Sequence, residues 1–408
     1  MEKMLSFALD FGSFAIKGGA KYYAWLLFLL FFVLVGSYTA YIQLTEGLIV
    51  TGATDQISWE LFIANFIFTA HVAAAAVLVV APGYMYKRKD FKEIAVLGEI
   101  IAMCFVATGI LFILFHMGRP DRLWHLLPGI GVFNIPNSML VFDVIVLNVY
   151  LFLNVVAVFY LLYKKYIGSE TLGKWYTPWI YLAIAWGPLI HICTSFVLSS
   201  NARMFSWATA VLPFAFLSMA GASGPALIIL IFLLVRKYTK LQIGDSVIDL
   251  LTQMIVWSLG ILMLVLGAEF FTALYSSAEH AASLKFNMFG HNGLDMYVSS
   301  FWIIMALIVG SFFVLLIPAV RKSYNFLLPL VCLEIFLVIL VEKPLILVFP
   351  AFSPSPFGEY TEYYPTLVEY FNVMLVWAIG FIALTLVTKG AIGILTGEVK
   401  YAKASASR

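Results

Sequence analysis

Ten stretches of the chain stay apolar for about twenty residues or more: roughly 22–45, 59–86, 92–116, 138–163, 175–198, 207–235, 246–275, 297–320, 325–347 and 371–395. A helix rising 1.5 Å per residue needs ~20 apolar residues to cross the ~30 Å hydrocarbon layer. Each stretch therefore predicts a spanning helix, and residues 4–16 predict a short surface helix. The connections alternate in kind. One set is short and basic. The other, 46–58, 117–137, 276–296 and 348–370, is longer and richer in aromatics, prolines and acids. Of the 24 Lys and Arg residues, nineteen fall in the N-terminal segment, the even-numbered connections and the C-terminal tail. The other five are Arg119, Arg122, Arg203, Lys285 and Lys343. The positive-inside rule then places both termini in the cytoplasm and the long connections outside. Long ordered loops tend to carry function or bind partners, so the working surface is expected there.

Composition removes the soluble alternative: 63% of the 408 residues are hydrophobic and 11% charged, against roughly a quarter charged in soluble domains. The fold class expected is all-α integral membrane, multi-pass in the cytoplasmic (inner) membrane. No signal-peptide pattern with a cleavage site is present. The net charge of +2 selects no partner, and the composition excludes disordered, collagen-like and nucleic-acid-binding chains. Cys104, Cys193 and Cys332 each sit in an apolar run without a C-x-x-C spacing, which disfavours a disulfide framework, a zinc ribbon and a four-cysteine iron–sulfur site.

Two runs look alike. Ser58-Trp59 opens one and Ser206-Trp207 the other. Each Trp is followed by Phe at the same two offsets (Phe66 and Phe68; Phe214 and Phe216), then by small residues, Ala73–Ala76 and Gly221–Gly224. The next run in each half carries Gly-Ile-Leu, at 109–111 and 260–262. An offset of four helices makes these parallel repeats. The division expected is 1–58 with a peripheral helix, 59–206 as a first four-helix bundle, 207–347 as a second, and 348–408 as outer loop, peripheral helix and tail.

Several segments now resemble one family. His116-Met-Gly-Arg-Pro-Asp-Arg-Leu-Trp-His125 is similar to the G-R-P-x-R-x-W-H loop of polysulfide-reductase (NrfD-type) membrane subunits. Trp59-Glu-Leu-Phe-Ile-Ala-Asn65, Asn137-Ser-Met-Leu-Val-Phe-Asp143 with Asn148, Gly224-Pro225-Ala226, and Pro354-Ser-Pro-Phe-Gly-Glu359 with Tyr364-Pro365-Thr366 resemble other parts of that family. The outer loops most resemble its ten-helix, DsrP-like branch from sulfur-metabolising complexes. Glu60 and Ala73–Ala76 depart from the glycine-rich pattern of many relatives. The resemblance implies a quinone-interacting anchor, with no haem or iron–sulfur cluster of its own. Electrons would pass between menaquinol and an extracytoplasmic ferredoxin-like iron–sulfur subunit, with further cytochrome and membrane subunits attached.

Quinone redox moves two electrons and two protons, so a site needs groups that bind the head-group oxygens and groups that relay protons. Ionisable residues within spanning helices are costly and often functional. Trp59, Glu60, Asn65, His71, Arg119, Asp121, Arg122, Asp143 and His191 are the quinone-site candidates, all on or beside the first bundle. Several have a structural alternative: His71 as a core histidine, Asn65 as interhelical glue, Arg119 and Arg122 as a clamp on the loop through Asp121, Asp143 as their buried partner. Proton-transfer candidates are Glu99, His116, Asp249, Glu269 and Glu334, with Gln253 beside Asp249. Asp249, Glu334 and Glu269 could form a chain across the second bundle or be satisfied separately. Glu342 and Lys343 read as a pair at an outer helix end, or as snorkelling side chains. No metal site is expected. Two other functions compete: a b-haem cytochrome using His71 and His191, and a secondary transporter with helices kinked at Pro188 and Pro225. A purely structural anchor is a third.

Overall fold

The computed structural model describes residues 2–126, 129–169, 171–201, 203–276 and 281–401. Lys403, Arg408 and parts of the 117–137 and 276–296 connections lie outside these. Among the described residues the regular structure is all helical, with one isolated bridge, His291 to Leu294, and no strand.

In chain order the helices are α1 (Glu2–Ile16), α2 (Ala20–Glu46), α3 (Leu61–Ala75), α4 (Val77–Tyr84), α5 (Lys89–His116), α6 (Met139–Tyr166), α7 (Tyr176–Ser199), α8 (Leu212–Tyr238), α9 (Asp245–Tyr275), α10 (Ala281–Phe289), α11 (Met296–Leu316), α12 (Pro318–Arg321), α13 (Leu327–Glu342) and α14 (Leu367–Leu395). Among the described residues nine helices are long and apolar enough to cross a membrane: α2, α3 with α4, α5, α6, α7, α8, α9, α11 and α14. The chain is therefore a multi-pass membrane protein. The 59–86 run is two helices that meet at Ala76. The 325–347 run differs most from the sequence expectation. Its α-helix has 16 residues and passes at Lys343 into a π-helix (Lys343–Val348), then a 3₁₀ turn (Phe349–Phe352). Pro344 lacks the N–H that an α-helix would use there, which favours the change of hydrogen-bond register.

Burial orders the helices into a core and a lipid-facing shell. Every residue of α3 is buried, as expected of a helix apolar on all faces. The most apolar window is 78% buried in both α5 and α8, but 22% in α2 and 17% in α9. The two look-alike helices, α3 and α8, pack against each other through their small residues. A Cβ on Gly224 would fall 1.9 Å from the Cβ of Ala75, so only glycine permits this approach. Trp59 and Trp207, which precede the two helices, stack with ring centroids 4.9 Å apart. α14 packs against α2, α5 and α3, and Gly36 on α2 sits where a Cβ would meet Leu375 at 2.4 Å. α1 runs along the surface, tied by the Tyr166 hydroxyl donating to Asp10.

The long connections gather at one end of the helices. Gln56 donates to Glu359 (2.8 Å), Arg203 donates to the Gln56 carbonyl (2.8 Å), and Ser283 donates to the Ser353 carbonyl. We call this the loop end, and the opposite one, with Lys87, Arg88 and Lys164, the basic end.

Candidate functional site

Four groups of polar side chains are enclosed by this packing. The first lies at the loop end. Glu60 is the N-cap residue of α3 and is fully buried. His116 is the last residue of α5. Their side chains meet, His116 Nδ1 against Glu60 Oε2, and Glu60 Oε1 has no hydrogen-bond partner. Next to them Glu369, in the first turn of α14, accepts from the Gly52 N–H (3.1 Å), the Leu61 N–H (2.7 Å) and the Tyr363 hydroxyl (2.9 Å). Burial, and then the Glu369 carboxylate, hold the Tyr363 hydroxyl above its usual pKa, so it remains a donor. Two buried carboxylates and a half-buried imidazole thus meet where α3, α5 and α14 converge.

A cavity of ≈ 130 Å³ lies against the same end of α5. It is lined by Ala40, Gln43, Leu44 and Leu48 on one side and by Leu114, Phe115, Met117, Gly118 and Pro120 on the other. Residues on both flanks of His116 thus form its wall. Gln43 donates to the Phe115 carbonyl (2.7 Å) and accepts from Asn372 (2.6 Å), whose own oxygen accepts from Thr39 (2.6 Å). This network ties α2 to α5 and α14 and leaves the remaining cavity wall apolar.

The second group lies deeper. His71 and His191 are both buried, with rings edge-to-face at 4.9 Å, and His71 also touches Phe216 at 4.8 Å. None of their four ring nitrogens has a hydrogen-bond partner. Unpaired buried polar atoms are rare and call for a cause. Asp143 makes its own bond, accepting at 2.9 Å from Thr194, which lies three residues after His191 on α7. The third is Glu99, buried with both oxygens unpartnered, within electrostatic reach of Tyr84, Tyr150 and Tyr176. Its place, ten residues into α5, is ~15 Å from the basic end. The fourth lines a second cavity between α8, α9, α10 and the π-helix, where Lys343 Nζ stands 2.7 Å from Glu342.

The sequence candidates distribute unevenly over these groups. Glu60 and His116 come together. His71 and His191 come together. Trp59 stacks on Trp207 beside Glu60. Asn65 is occupied on both sides: its oxygen accepts from Trp377 (2.8 Å) and its NH₂ donates to the Leu61 carbonyl (2.8 Å). Arg119 and Asp121 pair with each other on the exposed loop (2.8 Å). Arg119 in turn holds the Asp121 carboxyl below the usual carboxylate range. Arg122 is exposed. Neither arginine reaches Asp143. Asp249 accepts from Tyr324 (2.8 Å) and Glu334 from Ser311 (3.1 Å), so these two have separate partners. Glu269 lines the second cavity. Among the described residues no cluster of three or more His, Cys, Asp or Glu side chains has the arrangement of a metal site.

Sequence reasoning missed Glu369, Tyr363 and Gln43. Only Gln43 carried a signal, an amide within an apolar run; Tyr363 lies in the 348–370 connection. Glu369 sits just before the run as drawn, and Gln43 near the end of a helix taken as peripheral.

Residues 49–351 match the family described as polysulphide reductase, NrfD. The chain belongs to the NrfD family. It is similar to a selenate reductase subunit of Mesobacillus selenatarsenatis, 26% identical over 385 residues that cover 85% of this chain and 87% of the relative. It is also similar to a putative dimethyl sulfoxide reductase membrane subunit of Halobacterium salinarum, 25% identical over 232 residues, 53% of this chain and 52% of that one. Both relatives are named as subunits of reductases, the second as a membrane subunit.

Proposed function

We propose that this chain is the quinone-reactive membrane subunit of a respiratory reductase complex, oxidising menaquinol and passing its electrons to an extracytoplasmic, ferredoxin-like iron–sulfur subunit. The observation that carries this reading is the contact of half-buried His116 with fully buried Glu60, beside the cavity under the Gly118-Arg119-Pro120 turn. Oxidation of a quinol releases two protons with two electrons, so the site must take a proton at the moment the electron leaves. With Nδ1 held by Glu60, His116 has Nε2 left to accept a proton from a quinol hydroxyl, and the buried carboxylate stabilises the imidazolium formed. A buried carboxylate that orients an imidazole for proton transfer is a recurring catalytic unit. Gln43 and the backbone of Phe115–Gly118 would position the head group. The apolar wall between α2 and α5 would take the isoprenoid tail from the lipid.

The topology proposed with it has ten crossings, the tenth being the unbroken helical stretch of α13 and its π continuation. Both termini are then cytoplasmic, and the loop end is outside. The parallel repeat of α3 and α8 belongs to the same reading; their close approach and the Trp59–Trp207 stack at a common end support it. The exposed loop end, with Arg119 and Arg122, is the proposed docking face for the iron–sulfur subunit. The relatives' names carry selenate and dimethyl sulfoxide. Such terminal chemistry belongs to partner subunits, and we assign no terminal substrate to this chain.

The haem alternative fits less well. Two imidazoles on one iron, at ~2 Å per metal–nitrogen bond, put their nitrogens ~4 Å apart and their ring centroids farther still. His71 and His191 are edge-to-face with centroids at 4.9 Å, which leaves no slot for a porphyrin between them.

Photolabelling with an azido-quinone tests the site. The reading expects label in peptides containing Ala40–Leu48 and Leu114–Pro120, displaced by excess quinone. Displaceable label confined to α8–α13 would overturn it.

A further inference from the structure

The second cavity lies outside the quinone reading. It measures ≈ 100 Å³ and is bounded by α8, α9, α10, α11 and the π-helix. Most of its wall is apolar, from Trp207, Phe216, Leu266 and Phe270 among others. Its polar groups are Glu269, Glu342, Lys343, Asn287 and Ser206. Glu342 is 3% and Lys343 0% exposed. Consecutive residues of a helix point ~100° apart, so two adjacent charged side chains are seldom both enclosed. The register change at Lys343 accompanies this placement, and π segments often mark functional positions.

The partners within this group do not balance. Lys343 Nζ pairs with Glu342 at 2.7 Å, donates to the Met219 sulfur, and lies 5.1 Å from the centre of the Phe216 ring. One ammonium is thereby committed to one carboxylate. Glu269 is a second carboxylate, and no ammonium or guanidinium accompanies it among the described residues of the cavity wall. Asn287 is 4% exposed, and its NH₂ donates to the Ile346 carbonyl while its oxygen has no partner. The Ser206 oxygen is likewise unpartnered. The other titratable groups facing Lys343 are His71 on α3 and His191 on α7, both within its electrostatic reach.

We propose that this cavity binds one monovalent cation, a proton or a sodium ion, between the Glu269 and Glu342 carboxylates and the Asn287 side-chain oxygen. Charge selects the ligand. Two carboxylates against one ammonium leave a single negative charge in a largely apolar setting, a costly state unless neutralised. A single positive charge neutralises it, a divalent ion overshoots, and an anion adds to it. The donors are oxygen atoms, which suit a hard cation. At ~30 Å³ per water the space takes about three waters, or a cation with its remaining shell. A proton resides on Glu269, hydrogen-bonded to the unpartnered Asn287 oxygen through water or directly. A sodium ion takes the same oxygens. Because Lys343 acts on His71 and His191, loading of this site alters the electrostatics of the first bundle. The site stands independently of the quinone assignment.

The test uses the intact purified complex and two readouts. Infrared difference spectra between alkaline and acidic buffer should contain a protonated-carboxyl band that E269Q lacks and E269D retains, shifted. Separately, the thermal midpoint is compared in NaCl and in choline chloride at equal ionic strength. A sodium-specific rise in wild type, lost in E269Q and N287L, identifies sodium as the occupant. The band without a sodium response identifies the proton. Absence of both, in wild-type complex that still assembles, overturns the site. Should E269Q fail to assemble, N287L and the wild-type sodium response decide. Loss of quinol oxidation in the same preparation would refute the proposed function without touching this result.

Discussion

Replacing Glu60 by glutamine removes one charge and keeps the shape. In the structure Glu60 is fully buried, and its Oε2 meets His116 Nδ1. A hydrogen bond to a charged group contributes about 1.5–3 kcal/mol. If His116 becomes an imidazolium as the quinol gives up its proton, E60Q loses that amount in the transition state but not in the resting complex. At ~1.4 kcal/mol per factor of ten, turnover should fall about 10- to 100-fold, with the loss in kcat and little change in KM. Stability should not fall alongside. Glu60 and Glu369 are two buried carboxylates that act on each other, so neutralising one relieves repulsion. The assay is steady-state oxidation of a menaquinol analogue by the purified complex without oxygen, normalised to the amount of assembled protein, with thermal midpoints measured in parallel. E60Q turnover equal to wild type would refute the role of the pair. A fall matched by a fall in stability would point to structure instead.

Other substitutions separate site from scaffold. N65A should cost about 1–3 kcal/mol of stability for the Trp377 N–H left unpaired, read as a lower thermal midpoint, while the assembled complex keeps its turnover. G224V should block assembly, because a Cβ there already falls 1.9 Å from Ala75; normal yield would contradict the α3–α8 contact. R119A should free the 117–126 turn, read as faster proteolysis of that loop. In wild type the Arg119–Asp121 clamp should persist through neutral pH and open only in acid. The Asp121 pKa is depressed, so the contribution is present above the usual carboxylate range and lost as pH falls through the lowered value. F357C should react with an impermeant thiol reagent from the extracytoplasmic side, Phe357 being 90% exposed; labelling only from the cytoplasm would reverse the proposed topology.

Hydrophobic run length made the helices legible, because the lipid solvent requires apolar side chains and internally satisfied backbone. The run at 325–347 shows the limit of that signal. Run length cannot register a change of helix type, and Pro344 was the only local cue to it. The site was half legible. Glu60, His71, His116 and His191 stood out as ionisable residues in apolar surroundings, but which of them meet depends on how α3, α5, α7 and α14 cross. Asn65 illustrates the converse: its polarity drew it into the site, yet Trp377, 312 residues away in sequence, occupies it. Lys343 read as a snorkelling end residue, since only the packing of α3 and α8 around the π-helix shows it enclosed.

The most direct test of the central claim is made on the complex purified gently from its native membranes with its partner subunits. Menaquinol is added, and reduction of the partner's iron–sulfur clusters is followed with and without a quinone-site inhibitor. The account predicts cluster reduction that the inhibitor abolishes and that E60Q slows. Clusters that stay oxidised in the presence of menaquinol, or that are reduced regardless of inhibitor, would contradict it.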